Sequence, residues 1–191
     1  MSRYDDDIWR LVPAAAAAPQ PHLVSCVRAL GEPADALDLG CGDGRLTAEL
    51  RAGNLVAADV SGVALERARK KVPGARTVHL EPDESLPLDD GAFDLVLCAE
   101  TVEHVRDVQL MLSEVRRVLR PGGRLAVTTP AHGRLTGIDI AVRGFERSFD
   151  PLSPHLRFFT ARSLAALLDA VGFEPGDVRT EAGTLLTVAH R

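Results

Sequence analysis

Residues 37–47 read Leu-Asp-Leu-Gly-Cys-Gly-Asp-Gly-Arg-Leu-Thr, an apolar run that leads into three glycines at alternate positions. Residues 34–40 predict a buried strand, and residues 43–52 predict a helix. The glycines therefore lie on a strand-to-helix turn. Glycine tolerates positive φ and lets a ligand touch the backbone, and free N–H groups open the following helix, so the turn suits an electron-rich ligand group. Structural turns between a strand and a helix also use glycine, and the turn alone leaves both interpretations open.

A carboxylate follows the next apolar run. Residues 54–60 predict a second strand, with Asp59 and Val60 at its end. In nucleotide-binding folds an acid at this place accepts hydrogen bonds from both hydroxyls of a ribose. The alternative is that Asp59 caps a helix over residues 61–71. The glycine turn upstream favours the ribose interpretation.

The rest of the chain predicts alternating strands and helices. Each helix between two strands makes the crossover that a parallel sheet needs, so the expected fold is a doubly wound α/β sheet. The remaining predicted elements are strands at 75–81, 93–100 and 123–130, helices at 107–120 and 163–170, and two more strands within 173–190. The predicted domain spans residues 34–191, and residues 1–33 form a helical or linker segment before it.

Composition limits the class of protein. A chain of 191 residues with 46% hydrophobic residues is long enough for one domain with a full core. The net charge of −5 gives no overall basic field for gripping a nucleic-acid backbone, so we expect no nucleic-acid partner.

The cysteines and the first residues indicate a compartment. Cys26, Cys41 and Cys98 form no C-x-x-C pair, which is typical of a reducing environment. Residues 5–7 are acidic where a signal peptide would be basic, and the alanine run at 14–18 is too short to span a membrane. We expect a cytoplasmic protein with no membrane partner.

The glycine spacing separates two classes of cofactor. A dinucleotide fingerprint reads G-x-G-x-x-G, whereas this chain has G-x-G-x-G preceded by Asp38. With the segments that follow it over about residues 34–130, the pattern resembles the class I S-adenosylmethionine-dependent methyltransferases, and the small bacterial members among them. The matching segments are the glycine turn, Asp59, the acidic turn at 83–87, the strand at 93–100 and the Pro-Gly-Gly segment at 118–125. The resemblance implies a Rossmann-like, mostly parallel seven-stranded sheet with a C-terminal antiparallel hairpin, and S-adenosylmethionine as the cofactor.

The resemblance also implies where the cofactor binds. The backbone of residues 40–42 and Ala99 would hold its methionine part, Asp59 its ribose, and the acidic turn its adenine. The family's usual acid falls one residue earlier than in this chain, so Asp83 and Glu84 remain alternatives. The predicted cofactor residues are Asp38, Gly40, Cys41, Gly42, Asp59, Val60, Asp83, Glu84, Ser85, Ala99 and Glu100.

A cluster of possible metal ligands follows the strand at 93–100. Glu100, Glu103 and His104 share one face if a helical turn begins there, and their oxygens and nitrogen suit Mg²⁺ or Mn²⁺. The spacing resembles the E-x-x-E-H motif of magnesium-dependent ubiquinone-pathway O-methyltransferases and of small-RNA 3′-end 2′-O-methyltransferases, in which a later histidine adds a ligand. His155 is the candidate for that ligand. The alternative is that Glu103 and His104 only cap and pack a helix, as in metal-free relatives.

Three histidines are candidates for a general base: His104, His132 and His155. Methyl transfer from a sulfonium is an in-line displacement, so the enzyme needs alignment and, for a hydroxyl acceptor, a group that takes the proton. A neutral imidazole can do this near pH 7. Each histidine is alternatively a hydrogen-bonded loop or surface residue.

Acceptor specificity is expected in segments 1–33 and 131–159, because loops on a rigid scaffold carry specificity. The apolar candidates there are Tyr4, Trp9, Phe145, Phe149, Phe158 and Phe159, and the cationic ones are Arg134, Arg143, Arg147 and Arg157. A solvated loop would explain the same arginines. The strand at 93–100 ends in Cys-Ala-Glu-Thr, unlike the Asp/Asn-Pro-Pro-aromatic motif of relatives that methylate amides and bases.

The predicted function is therefore methylation of a small molecule, most simply at oxygen. Methylation of RNA 3′ ends and a non-catalytic regulator that only binds the cofactor are the alternatives. A nicotinamide-dependent oxidoreductase is disfavoured by the glycine spacing. The pattern gives no oligomeric state.

Overall fold

The computed structural model describes residues 3–13, 18–145 and 153–191. The helices are α1 (Arg3–Leu11), α2 (Pro21–Arg28), α3 (Gly62–Lys71), α4 (Val108–Val118), α5 (Arg134–Arg143) and α6 (Ala161–Ala170). The strands are β1 (Asp35–Leu39), β2 (Asn54–Asp59), β3 (Arg76–His79), β4 (Phe93–Ala99), β5 (Leu119–Pro130), β6 (Glu174–Pro175), β7 (Arg179–Glu181) and β8 (Thr184–His190). Arg147, Phe149 and most of the alanine run lie outside the described residues. Within the described ranges, no helix has the length and apolar character that crossing a bilayer requires.

All the strands form one sheet in the order β3-β2-β1-β4-β5-β8-β6, with β7 also paired to β8. Strands β1 to β5 are parallel to one another, and β8 is antiparallel to β5, β6 and β7. The turn between β7 and β8 has positive φ at Ala182 and Gly183, 47° and 86°, as a tight hairpin requires. The predicted doubly wound, mostly parallel sheet with a C-terminal antiparallel hairpin is confirmed.

Successive side chains of the central strands face opposite layers of helices. Leu37 and Val96 pack in one apolar cluster with residues of α4 and α6. Ala36 and Leu95 pack in a second cluster with residues of α2. Because both faces of the sheet are covered, the central strands are apolar along most of their length. Their carboxyl ends, where the strand order reverses between β1 and β4, flank the crevice in which such sheets bind ligands.

The predicted helix at 43–52 is wrong. The structure has one short 3₁₀ turn, Thr47–Glu49, and Leu50 returns to an extended conformation with ψ 115°. The Thr47 hydroxyl donates to buried Asp38, and Leu50 is itself buried. Because both residues are fixed to the core shortly before β2 begins, the segment has no room for further helical turns.

The helix predicted at 107–120 ends earlier than expected. Leu119 already pairs with Phe93, so β5 begins before the Pro-Gly-Gly residues at 121–123. Sheet pairing therefore ends this helix, and the glycines lie inside the strand that follows.

An ion pair on α4 holds the loop between β3 and β4. Glu114 accepts a hydrogen bond from the Leu86 N–H at 2.8 Å and pairs with Arg117 at 2.7 Å. Arg117 also donates to the carbonyl oxygens of Leu86 and Leu88. The Arg117 guanidinium is the main reason that the pKa of Glu114 lies below its ordinary value. This network fixes the loop that carries the predicted adenine contacts.

Replacement of Glu114 by alanine should lower the free energy of unfolding by about 1–3 kcal/mol, because the Leu86 N–H and Arg117 lose their partner. Urea unfolding measures this difference. The pKa of folded Glu114 is lowered from 4.5, so the stabilisation is present near neutral pH and is lost on acidification. The control is Glu66→Ala on the exposed face of α3, where we expect a change within about 0.5 kcal/mol. Equal losses in the two variants would contradict the role of Glu114.

Candidate functional site

The glycine loop between β1 and β2 requires glycine for two reasons. Gly40, Gly42 and Gly44 have φ values of 75°, 54° and 80°, which other residues rarely adopt. A side chain at Gly40 or Gly42 would also collide with a neighbour, and one at Gly44 would be in tight contact with α3. A Cβ would lie 2.4 Å from Thr101 at Gly40, 2.7 Å from the Trp9 ring at Gly42, and 3.0 Å from the Ala68 backbone at Gly44. The contact with Thr101 joins this loop to the residues after β4, at the point where the strand order reverses.

Asp59 ends β2 and holds the same loop in place. Its Oδ2 accepts from the Gly42 N–H at 2.8 Å, and its Oδ1 accepts from the Ser61 N–H at 2.8 Å. The N-cap of α3 is Ser61, whose hydroxyl accepts from the Ala64 N–H. Burial raises the pKa of Asp59, while its backbone partners lower it. Each carboxylate oxygen has a second lone pair, so ordering this loop and accepting ribose hydroxyls are compatible roles.

Asp38 precedes the glycine loop and Cys41 lies within it, and both side chains are buried. Asp38 is 2% exposed and accepts from the Thr47 hydroxyl at 2.6 Å. Burial raises the pKa of Asp38 to about 7. Burial also raises the pKa of the Cys41 and Cys98 thiols, so both residues act as small apolar side chains and not as reactive thiolates.

The acidic turn presents two different carboxylates. Asp83 has a positive φ of 58° and pairs with Arg106 at 2.5 Å. Glu84 and Ser85 are exposed. The pairing fixes the side chain of Asp83, and Glu84 keeps an exposed carboxylate, so each remains a candidate for the adenine contact.

Glu100 begins the loop after β4 in a strained conformation. Its φ is 50°, and its N–H donates to the Thr128 carbonyl at 2.9 Å. The Thr128 hydroxyl in turn donates to the Glu100 carboxylate at 2.9 Å. Burial raises the pKa of Glu100. Non-glycine residues with positive φ are concentrated at functional sites, and this one lies at the mouth of the crevice.

Glu103, His104 and His155 meet beside this loop. One possible ligand atom from each residue lies within 4.8 Å of the other two. The segment around His155 folds back over the loop after β4, because the N–H groups of Leu156 and Arg157 donate to the Glu103 carbonyl at 2.8 and 3.1 Å. Glu100, the fourth predicted metal ligand, is not part of this group. Its carboxylate accepts a hydrogen bond from the Thr128 hydroxyl instead.

Hydrogen bonds orient two members of the group. His104 Nδ1 lies 3.0 Å from the Pro154 carbonyl oxygen, which only accepts, so in the neutral ring Nδ1 carries the proton and Nε2 keeps its lone pair. Glu103 is 1% exposed, and its Oε2 accepts from the Thr129 hydroxyl at 2.9 Å. Its Oε1 has no hydrogen-bond partner among the described residues and lies 3.8 Å from His104 Nε2. Burial raises the pKa of Glu103 to about 7.

The three predicted histidines are neighbours. The ring centroids of His104 and His155 are 4.8 Å apart, and His132 contacts the Phe158 ring at 4.9 Å. Burial lowers the pKa of His132 and of His155, and protonation of His104 or His132 would disfavour a second positive charge on His155. Their ordinary value is 6.5, so His132 and His155 are neutral at pH 7.

The residues predicted to contact the methyl acceptor lie in different parts of the fold. Trp9 lies on the glycine loop, and Phe159 is buried in the core. Arg157 donates to the carbonyl oxygens of Val105 and Arg106, and Arg143 pairs with Asp139 at 3.1 Å. Tyr4, Phe145 and Phe158 are exposed.

Sequence reasoning missed the hydroxyls that hold the two glutamates. Thr128 and Thr129 contact Glu100 and Glu103 across the sheet, because β5 lies beside β4. It also missed His22, which bonds to Thr184 at 3.1 Å and whose charge lowers the pKa of Glu100. The threonines were detectable in principle, since two adjacent hydroxyls stand at the carboxyl end of a strand predicted to neighbour β4.

Comparison with known proteins shows the fold and supports a family. The model of the family described as "Methyltransferase domain" matches residues 37–127. The structure superposes on a putative methyltransferase from Bacillus halodurans with a TM-score of 0.72 and 17% identity, covering 87% of this chain and 97% of that one.

Two curated relatives have named activities. A malonyl-[acyl-carrier protein] O-methyltransferase of Methylococcus capsulatus is 34% identical over 85% of this chain and 60% of its own length. A demethylmenaquinone methyltransferase of Clavibacter sepedonicus is 31% identical over 80% of this chain and 58% of its own length. The chain thus spans little more than half the length of these relatives. The residues that the family model matches include the glycine loop and Asp59, and the comparisons support a class I S-adenosylmethionine-dependent methyltransferase.

Proposed function

We propose that this chain transfers the methyl group of S-adenosylmethionine to an oxygen atom of a small molecule. The observation that carries the proposal is the position of the Glu103, His104 and His155 cluster. It follows β4 directly, and Thr101 in the same loop contacts Gly40 of the glycine loop. Proton-accepting groups therefore lie beside the loop that would bind the cofactor.

In this proposal, different residues bind the methionine part, the ribose and the adenine of the cofactor. The backbone of residues 40–42 and of Ala99 holds the methionine part, and Asp59 accepts the ribose hydroxyls. Asp83 or Glu84 contacts the adenine at the far end of the crevice. The cofactor, when bound, supplies a methyl group on a sulfonium sulfur. The protein has to hold the acceptor oxygen in line with that methyl group and exclude water.

His155 is the proposed general base. It is half-buried and neutral at pH 7, so its lone pair is available to take the proton of an acceptor hydroxyl. The contacting ring of His104 orients it, and the Pro154 carbonyl fixes His104 in turn. His155 would take the proton of the acceptor oxygen as that oxygen is methylated, and the bound cofactor would supply the methyl group and become a neutral thioether. His132 is the second candidate for this proton.

Two observations support oxygen as the acceptor atom. The chain lacks the Asp/Asn-Pro-Pro-aromatic motif of relatives that methylate amides and bases. The Methylococcus relative is named an O-methyltransferase. The relatives named for malonyl-[acyl-carrier protein] and for demethylmenaquinone suggest that a small metabolite or a carrier-bound acid is the acceptor class. The alternative, a regulator that binds the cofactor without turnover, has no observation in its favour.

The same cluster fits a divalent cation. The Glu103 Oε1 atom, buried and without a hydrogen-bond partner among the described residues, faces the Nε2 lone pair of His104. A backbone carbonyl on the other nitrogen of a histidine is typical of metal ligands, and Pro154 supplies one for His104. Glu103, His104 and His155 would therefore be the ligands, without Glu100. Mg²⁺ or Mn²⁺ bound there would lower the pKa of the acceptor oxygen.

Replacement of His155 by alanine should reduce kcat about 10²–10³-fold, the usual contribution of a positioned base. The measurement is release of S-adenosylhomocysteine with a panel of carboxylic and phenolic acceptors. The pKa of His155 lies below 6.5, so wild-type activity should persist at pH 6.5 and fall on further acidification, when the imidazole becomes protonated. His190→Ala, at the exposed end of β8, is the control and should keep wild-type kcat. An unchanged kcat and pH profile in the His155 variant would exclude this base.

Chelation with EDTA distinguishes a site that uses a divalent cation from one that uses His155 as the base. If the cation is bound, EDTA should abolish turnover and Mg²⁺ should restore it, and Glu103→Ala should lose the Mn²⁺ binding that electron paramagnetic resonance detects in the wild type. Full activity in EDTA would exclude the metal and leave His155 as the base.

A further inference from the structure

Helix α1 is attached to the domain through a buried carboxylate. Asp6 is 3% exposed, although it lies close to the first described residue. Its Oδ1 accepts from the Ser61 hydroxyl at 2.7 Å and from the Val63 N–H at 3.2 Å. A buried carboxylate is costly unless it is hydrogen-bonded, so these two donors make the attachment of α1 specific.

Trp9 lies on the same face of α1, three residues after Asp6, and packs on the glycine loop. The edge of its ring would be 2.7 Å from a Cβ at Gly42. Arg67 of α3 lies over the ring at 5.9 Å and donates to the Val12 carbonyl at 2.9 Å, just beyond the end of α1. Three separate contacts thus hold α1 against α3 and the loop.

Ser61 and Gly42 each connect α1 to Asp59, the carboxylate proposed to bind the ribose. Ser61 binds Asp6 through its hydroxyl and Asp59 through its N–H. Gly42 packs on Trp9 and donates its N–H to the other oxygen of Asp59. Helix α1 therefore contacts both of the residues whose N–H groups bond to the Asp59 carboxylate.

We propose that α1 is a wall of the cofactor crevice, with Trp9 as a binding residue and Asp6 as the positioning residue that holds the wall in place. The inference rests on the proposed function for the identity of the ligand. A detached α1 would leave Gly42 and Ser61 unsupported and the site incomplete. Docking of α1 and binding of the cofactor are then coupled, and each promotes the other to the same extent.

The single tryptophan of the chain allows a direct test, because its fluorescence reports only on α1. The variants are Asp6→Ala, Asp6→Asn and the control Asp7→Ala, and the probe is S-adenosylhomocysteine. Asp7 is exposed, and among the described residues its ion pair is with Arg10 of the same helix, at 2.5 Å. The Asp6→Ala variant should show red-shifted emission and bind the probe about five- to tenfold more weakly, because apparent affinity falls with the fraction of competent molecules.

Saturating probe should return the emission of Asp6→Ala to the wild-type wavelength. Asp6→Asn keeps an acceptor oxygen and should recover most of the affinity, and Asp7→Ala should match the wild type. Equal affinity in wild type and Asp6→Ala would overturn the inference and leave α1 as a stabilising element. Tighter or faster binding by Asp6→Ala would also overturn it, since α1 would then obstruct the site. A wild type that binds no probe would defeat the proposed function itself, which is a different result from a loss confined to the variants.

Discussion

The site depends on the close approach of other elements to the backbone of residues 40–44. Glycines with positive φ let Thr101, Trp9 and Ala68 come within contact distance of this loop. The three glycines therefore allow the loop after β1 to contact the loop after β4, helix α1 and helix α3. The Asp59 carboxylate then fixes the loop through two backbone N–H groups. A rigid loop of this kind presents an ordered backbone to a ligand without a large cost in conformational entropy on binding.

Local pattern was sufficient to predict the central sheet. The apolar runs at β1, β2 and β4 are continuous because both faces of the sheet are covered, and the glycines mark the only kind of turn that lets other elements approach so closely. The resemblance to a known family also anticipated that His155 would come to Glu103 and His104, which the sequence separation alone does not indicate. The structure brings the three residues together through hydrogen bonds to the Glu103 carbonyl.

Contacts between distant residues explain what the sequence pattern did not predict. The segment at 43–52 has helix-forming residues, but Thr47 and Leu50 are fixed to the core and override that local preference. Asp6 reaches a partner 55 residues away, and Thr129 reaches one 26 residues away. The acidic run at residues 5–7 did not indicate that Asp6 is buried, because no local pattern distinguishes a buried, hydrogen-bonded carboxylate from a solvated one.

The central claim is that the loop and Asp59 bind a sulfur nucleoside. Calorimetric titration of the wild type and of a folded Asp59→Ala variant with S-adenosylhomocysteine, and separately with NAD, tests it most directly. We expect the wild type to bind S-adenosylhomocysteine and not NAD, and the variant to bind about ten- to a hundredfold more weakly, since it lacks the charged acceptor for two hydroxyls. A preference for NAD, or equal affinity in the variant and the wild type, would contradict the account.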